Sequence, residues 1–117
     1  MSKKKYKVEV TRIDVFEVEI DEAIWNKEEL ESFSKTFWEV KDSKMLAEKI
    51  AVEISRDGSD SEYFEGFGCI QMLNYNGSKR TCFSGSTILS EDEVTKGIQV
   101  RIVSEGEDID TFTNLVN

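Results

Sequence analysis

Residues 42–75 read D-S-K-M-L-A-E-K-I-A-V-E-I-S-R-D-G-S-D-S-E-Y-F-E-G-F-G-C-I-Q-M-L-N-Y. Three signals follow one another here. Leu46, Ile50 and Ile54 lie on one line of a helix, with Ala47 and Ala51 beside them, the pattern of a helix packed closely on a sheet. Asp42 or Ser43 supplies its N-cap, and Arg56-Asp57-Gly58 ends it, with Gly58 at C′. A polar run from Ser59 then gives way to Gly66-Phe67-Gly68, and Phe67 to Leu73 reads as a strand apolar on both faces, hence internal. Helix, glycine-punctuated crossing and buried strand together predict the packing nucleus of an α+β domain.

On the N-terminal side, residues 5–20 alternate apolar and polar. Tyr6, Val8, Val10, Phe16, Val18 and Ile20 share even parity, while Ile13 and Val15 break it. One long strand, exposed on one face, needs a bulge near Arg12–Asp14 to restore the phase. Asn26 then caps a helix with Glu29 at N3, and Trp25 and Leu30 have the spacing of a hydrophobic staple. Leu30, Phe33 and Phe37 carry that helix from Lys27 to Trp38.

On the C-terminal side, Asn76-Gly77 is a strong hairpin signal. With these two as the loop, position 75 pairs with 78 and 71 with 82, and the return strand covers Ser78 to Ser84. Ser90-Glu91-Asp92-Glu93 fits a capping box over one short helical turn. Ile98, Val100 and Ile102 alternate as a last strand. The tail, Glu105 to Asn117, has Ile109, Phe112 and Leu115 at spacing three, which suggests a short helix or a docked extension. The expected fold is one α+β domain over 1–117. Its antiparallel sheet has about four strands, with two helices packed on one face in the order β-α-α-β-β-β.

With 38% apolar and 33% charged residues, the chain reads as a thin core under a charged surface, since aromatic and β-branched residues are plentiful. No stretch approaches the length of a membrane span, and the basic opening M-S-K-K-K-Y-K has no apolar segment behind it, so no secretory signal is expected. Cys69 and Cys82, without an export signal, read as reduced thiols of a cytoplasmic protein. The net charge is −9, but residues 66–89 carry Lys79 and Arg80 and no acid. The acidity argues against direct binding to nucleic-acid phosphates and favours a protein partner, with self-association as a further expectation.

Little in the sequence points to catalysis. There is no histidine, which removes the commonest general base and metal ligand. Two cysteines and carboxylates make a poor zinc site. Gly66-Phe67-Gly68 precedes a strand instead of following one, unlike a dinucleotide fingerprint. Ser84-Gly85-Ser86 lacks the flanks of a nucleophile elbow, and residues 57–62 have the wrong spacing for a calcium loop. In the hairpin register above, Cys69 lies diagonal to Cys82 at roughly 7–8 Å, too far for easy bridging, whereas a slip of register would set them opposite one another; free thiols are expected. The chain is therefore expected to be no enzyme and to need no cofactor or metal. Candidate protein-binding residues are Tyr75, Asn76, Lys79, Arg80 and Phe83, an aromatic and basic cluster on the acid-free hairpin.

The Lys-rich opening strand, W-N-K-E-E-L-E-S-F, F-W-E-V, L-A-E-K-I-A and E-G-F-G resemble small acidic accessory proteins of phages and integrative elements, over residues 5–75. Some such proteins inhibit host defence nucleases, as anti-CRISPR and antirestriction proteins do. The resemblance implies an inhibitor acting by occlusion of a host nucleic-acid-targeting complex, and carries over no catalytic residue. Lysines 27, 35, 41, 44 and 49 interleave the acids, which departs from strict DNA mimicry. The alternatives are a small-ligand-binding or sequestering domain, which needs an apolar pocket between helices and sheet, and a structural or assembly protein.

Overall fold

The alternation at the start of the chain becomes one unbroken strand, β1 (Lys5–Ile20). The structure, a computed structural model, describes residues 3–116, and side chains at all of these except 107–109. The first two positions of the basic opening and the last of the tail therefore lie outside the described residues. After β1 come α1 (Lys27–Thr36), α2 (Ser43–Asp57), β2 (Gln71–Leu73), β3 (Phe83–Ser84), β4 (Thr87–Ile88), a 3-10 turn at Glu91–Glu93 and β5 (Ile98–Val116). The class is α+β, as expected.

Local chemistry sets the helix ends. Asn26 Oδ1 accepts from the Glu29 N–H at 2.9 Å, and Trp25 and Leu30 are both buried, as the staple requires. α1 stops at Thr36, short of Trp38. The chain turns back so that the Val40 N–H donates to Ser34 Oγ at 2.9 Å, which frees Phe37 and Trp38 to pack on Phe33 and Phe67. Asp42 Oδ1 accepts from the Met45 N–H at 2.9 Å to start α2, and the Gly58 N–H closes it on the Ile54 carbonyl.

The main sheet has three strands in the order β1-β5-β2. β5 is antiparallel to β1 but parallel to β2, so the sheet is mixed where an antiparallel one was expected. The reason lies after β2. The chain does reverse at Asn76-Gly77, but Leu73 bridges Lys79, so the loop is Asn74–Ser78 and the register is one residue from that expected. The return segment makes only a short contact with β2, and Phe83-Ser84 turns away to pair with Thr87-Ile88 in a separate hairpin. β5 then enters beside β2 by a long crossover, which permits parallel pairing.

One sheet face forms the core. Phe16, Val18 and Ile20 lie opposite Ile102, Val100 and Ile98, and Met72 lies opposite Val100. Against them pack Leu46, Ile50 and Ile54 of α2, with Leu30 and Phe33 of α1 in the same cluster. Phe67 stacks on Phe33 with centroids 5.1 Å apart. The backbone at Gly66 has φ +83°, and a Cβ there would lie 3.0 Å from Trp38 Cζ3. Gly66-Phe67-Gly68 thus works as a tight crossing into the sheet. Trp25, buried, donates its Nε1–H to the Lys96 carbonyl at 3.0 Å, and Trp38 is half-buried. The two tryptophans belong to the core and do not form an exposed pair.

The tail is not a helix but an extension docked on β1 as a strand. It continues β5 to Val116 and pairs with β1 from Lys5 to Ile13. The run Thr111-Phe112-Thr113 favours a strand, and β1 supplies an unpaired edge for it. β1 also keeps its phase without a bulge: Asp14, Phe16, Val18 and Ile20 all turn inward. The irregularities fall at the expected place, between Ile13 and Asp14 and between Val15 and Phe16, but the extra residues belong to β5. Ile13 and Val15 simply face outward.

Glu53 on α2 is fully buried. One carboxylate oxygen pairs with Arg56 Nη2, and among the described residues the other has no partner. A buried carboxylate with one orphan oxygen is costly, while Arg56 is exposed enough to hydrate alone. Glu53→Met is expected to leave stability unchanged or to raise it by about 1–2 kcal/mol, read from urea unfolding. A loss of similar size would assign the carboxylate a structural partner.

Candidate functional site

The residues singled out on the hairpin divide into two groups. Asn74–Ser78 is a closed turn: the Asn74 N–H donates to the Ser78 carbonyl at 2.8 Å, and the Gly77 N–H to the Asn74 carbonyl at 2.9 Å. Asn76 Oδ1 accepts from the Ser78 N–H and hydroxyl, an Asx-type bond that serves the turn itself. Tyr75 projects, largely exposed. Arg101 grips it from below, with Nη1 donating to the Tyr75 carbonyl at 2.7 Å and the guanidinium 5.5 Å from the ring centroid. Arg101 also forks onto Glu17, with Nη2–Oε1 at 2.6 Å and Nε–Oε2 at 3.1 Å. This contact holds the Glu17 carboxyl below its usual range and raises Arg101.

Both basic residues of the acid-free segment meet acids from elsewhere. Lys79 Nζ lies 3.8 Å from Glu91 Oε1. Arg80 donates from Nε to Asn74 Oδ1 at 2.7 Å, and its Nη1 lies 3.3 Å from Ser59 Oγ and 3.4 Å from Asp60 Oδ1. Arg80 thus braces the turn against the loop after α2. Phe83 sits in the neighbouring hairpin, beside Cys82 and the Ser59–Glu62 loop, and Glu62 Oε2 accepts from the Gly85 N–H there. Tyr75 and Asn76 therefore lie in one turn with Lys79 and Arg80 at its base, and Phe83 lies apart.

Cys69 and Cys82 are free thiols, both half-buried. Burial, reinforced by Cys69, pushes the Cys82 thiol up, which disfavours the reactive thiolate. Among the described residues no group of three or more His, Cys, Asp or Glu side chains is placed to hold a metal, and no helix is long and apolar enough to cross a membrane. The space between α2 and the sheet is filled by Leu46, Ile50 and Val100, none of them exposed. A surface cleft of about 420 Å³ opens instead at the side of the sheet, where Glu19, Asp21, Lys79 and Glu91 mix with Ile24, Val94 and Ile98 in its lining.

The largest feature escaped the sequence reading. Beyond Asp14, β1 and β5 leave the body as a two-stranded ribbon in which Lys5–Ile13 pairs with Asp108–Val116. Nine residues span about 30 Å at strand rise. The radius of gyration is 18.2 Å and the extents are 63 × 33 × 25 Å, whereas a compact chain of this length has a radius near 13 Å by the usual scaling, roughly. Cross-strand partners share a face. One ribbon face therefore carries Tyr6 with Leu115, Val8 with Thr113 and Val10 with Thr111, and all six are exposed. The other carries Lys5 with Val116, Lys7 with Asn114, Glu9 with Phe112 and Thr11 with Asp110, so it is mainly polar, with Phe112 and Val116 as its exposed apolar side chains. The apolar face covers on the order of 300 Å², within the range of functional patches. The even parity of 6, 8 and 10 was a visible signal; its partner strand was not.

A polar knot fixes the root of the ribbon. Asp14 Oδ1 accepts from Arg12 Nε at 2.9 Å and from the Gly106 N–H at 2.8 Å. Asp14 Oδ2 accepts from the Ser55 hydroxyl on α2, and Arg12 Nη2 lies 3.8 Å from Glu105. The Ser55 bond foremost, with Arg12 and Gly106, outweighs burial and holds the Asp14 carboxyl below its ordinary range. The ionised form therefore stabilises the fold fully above about pH 3.9 and less as pH falls through the lowered native value. Asp14→Asn should unfold more readily than the wild type at pH 6, with the gap closing as pH falls towards 2 in parallel urea titrations. A constant gap would deny the knot its electrostatic role.

No protein-family model matches the chain, nor does any curated protein or solved structure.

Proposed function

We propose that the chain is a non-enzymatic protein-binding module that docks through the apolar face of the β1–β5 ribbon. The observation that carries this reading is the exposure of Tyr6, Val8, Val10 and Leu115 on one face of an element that adds nothing to the core. An isolated two-stranded ribbon is marginal in water, and a protein surface that covers its apolar face stabilises it. The turn at Tyr75, on the opposite side of the sheet from α2, is a second contact point. In the mobile-element reading, the docked module inhibits a host nucleic-acid-targeting complex by occlusion, with the acidic body blocking the path of the nucleic acid.

The test is affinity capture from host lysate with the wild type and with Leu115→Lys, a substitution on the apolar face distant from the core. The reading expects a defence-complex subunit with the wild type and its loss with the variant. Equal capture by both would remove the ribbon as the docking surface. Recovery of partners with no nucleic-acid-targeting component would remove the inhibitor role.

A further inference from the structure

The outer edge of β1 is open along the ribbon. β1 is the terminal strand of its sheet, and among the described residues no other strand pairs with that edge. An open edge presents unpaired backbone N–H and C=O groups to any strand that fits. The segment Tyr6-Lys7-Val8-Glu9-Val10 fits one strand in particular, itself.

Antiparallel self-pairing about a two-fold axis at Val8 sets Lys7 opposite Glu9 of the second copy and Glu9 opposite its Lys7. Tyr6 meets Val10 in both directions, and Val8 meets Val8. An isologous contact repeats each such pair twice, and opposite charges directly across strands stabilise the pairing. Neighbouring registers match less well. A centre at Lys7 keeps two opposite-charge pairs, Lys5 with Glu9, but sets Lys7 against Lys7 on the axis and Val10 against Lys4, and a centre at Glu9 sets glutamate against glutamate. A centre between residues sets the polar face of one ribbon beside the apolar face of the other. Lys4 meets Arg12 across the proposed junction, but Arg12 is already engaged by Asp14 and Glu105. Lys7 and Glu9 are well exposed and lie 3.7 Å apart within one chain, so both are free to turn to the partner edge. The bodies, which begin at Asp14, come to lie at opposite ends of the joint sheet.

We propose that two copies of this chain pair through the β1 edges in the register centred on Val8, giving a four-stranded sheet in the order β5-β1-β1-β5. The inference rests on the reading of the ribbon as a docking element and gives its edge an occupant. It leaves the apolar face, now doubled, for a different protein. Lysines at the edge deter unrelated strands, and Glu9 makes the identical strand the exception.

The experiment is sedimentation equilibrium of the full chain at tens of micromolar, with circular dichroism as the check on folding. The wild type should run at twice the chain mass. Lys7→Glu alone and Glu9→Lys alone each set like charges across both pairs and should raise the dimer dissociation constant at least about tenfold. An equimolar mixture of the two variants should recover the dimer as a heterodimer, because each supplies the charge the other lacks. Val8→Cys, in a background with Cys69→Ser and Cys82→Ser, should form a disulfide-linked dimer under mild oxidation, since directly opposed strand positions are within bridging range. A monomeric wild type, single variants that associate as tightly as the wild type, or a mixture that fails to recover would each overturn the proposal. Leu115→Lys tells the two readings apart: it should stay dimeric while losing the foreign partner. If it stays dimeric and still binds that partner, the edge pairing stands and the face reading fails.

Discussion

Ile50→Ala is expected to lower the unfolding free energy by about 3–4 kcal/mol, the range for truncating a large aliphatic side chain in a closed core. Ile50 has 0% exposure, lies between Leu46 and Ile54 on α2, and belongs to the same buried cluster as Val100. The same buried cluster holds Phe64, Phe67 and the strand residues Met72, Ile98 and Val100, a closed core with little freedom to collapse into the space. Domains of this kind have a total stability of about 5–15 kcal/mol, and a thin apolar core places this one towards the lower end. The variant should therefore show a visibly unfolded fraction at modest urea. Val10→Ala, a comparable truncation at a position 63% exposed, should shift stability by less than about 0.5 kcal/mol. Equal effects at the two positions would mean that the ribbon is part of the core.

Gly97→Ala should cost about 2–4 kcal/mol, although it adds a single methyl group. The backbone at Gly97 has φ +80°, and a Cβ would lie 2.9 Å from Trp25 Cδ1 and 3.1 Å from Ile24 Cβ. The positive φ alone costs about 1–2 kcal/mol for a residue with a side chain. The clash then pushes on Trp25, whose Nε1–H is bonded to Lys96, at the point where the Asp21 N–H donates to the Gly97 carbonyl. The ring cannot retreat without breaking a buried hydrogen bond. Thermal unfolding should fall by several degrees, and the near-ultraviolet tryptophan signal should change with it. An unchanged melting temperature would show that the junction yields.

What could be read in the sequence was local. The caps at Asn26 and Asp42, the α2 stripe and the strand at Ile98–Ile102 rest on contacts a few residues apart, and the structure contains them. The pairing of Lys5–Ile13 with Asp108–Val116 joins opposite ends of the chain. Nothing in the tail names its partner, and the spacing of Ile109, Phe112 and Leu115 imitates a helix. The mixed sheet was missed for a related reason. Asn76-Gly77 announces a turn, but whether the returning segment stays beside β2 depends on Phe83 finding Ile88 instead. In the candidate site, the exposure of Tyr75 followed from the turn. The neutralisation of Lys79 by Glu91 and of Arg80 by Asp60 did not, because each acid arrives from another element.

The central claim is that the ribbon's apolar face receives another protein. A photo-reactive amino acid placed at Leu115, and separately at Val52 on the exposed side of α2, tests it in host extract. Both positions are a little over half exposed, at 54% and 56%, so non-specific labelling should be alike. The account predicts a discrete adduct with a foreign protein from position 115 and none from position 52. Matching patterns from the two positions, or no adduct from position 115, would contradict it.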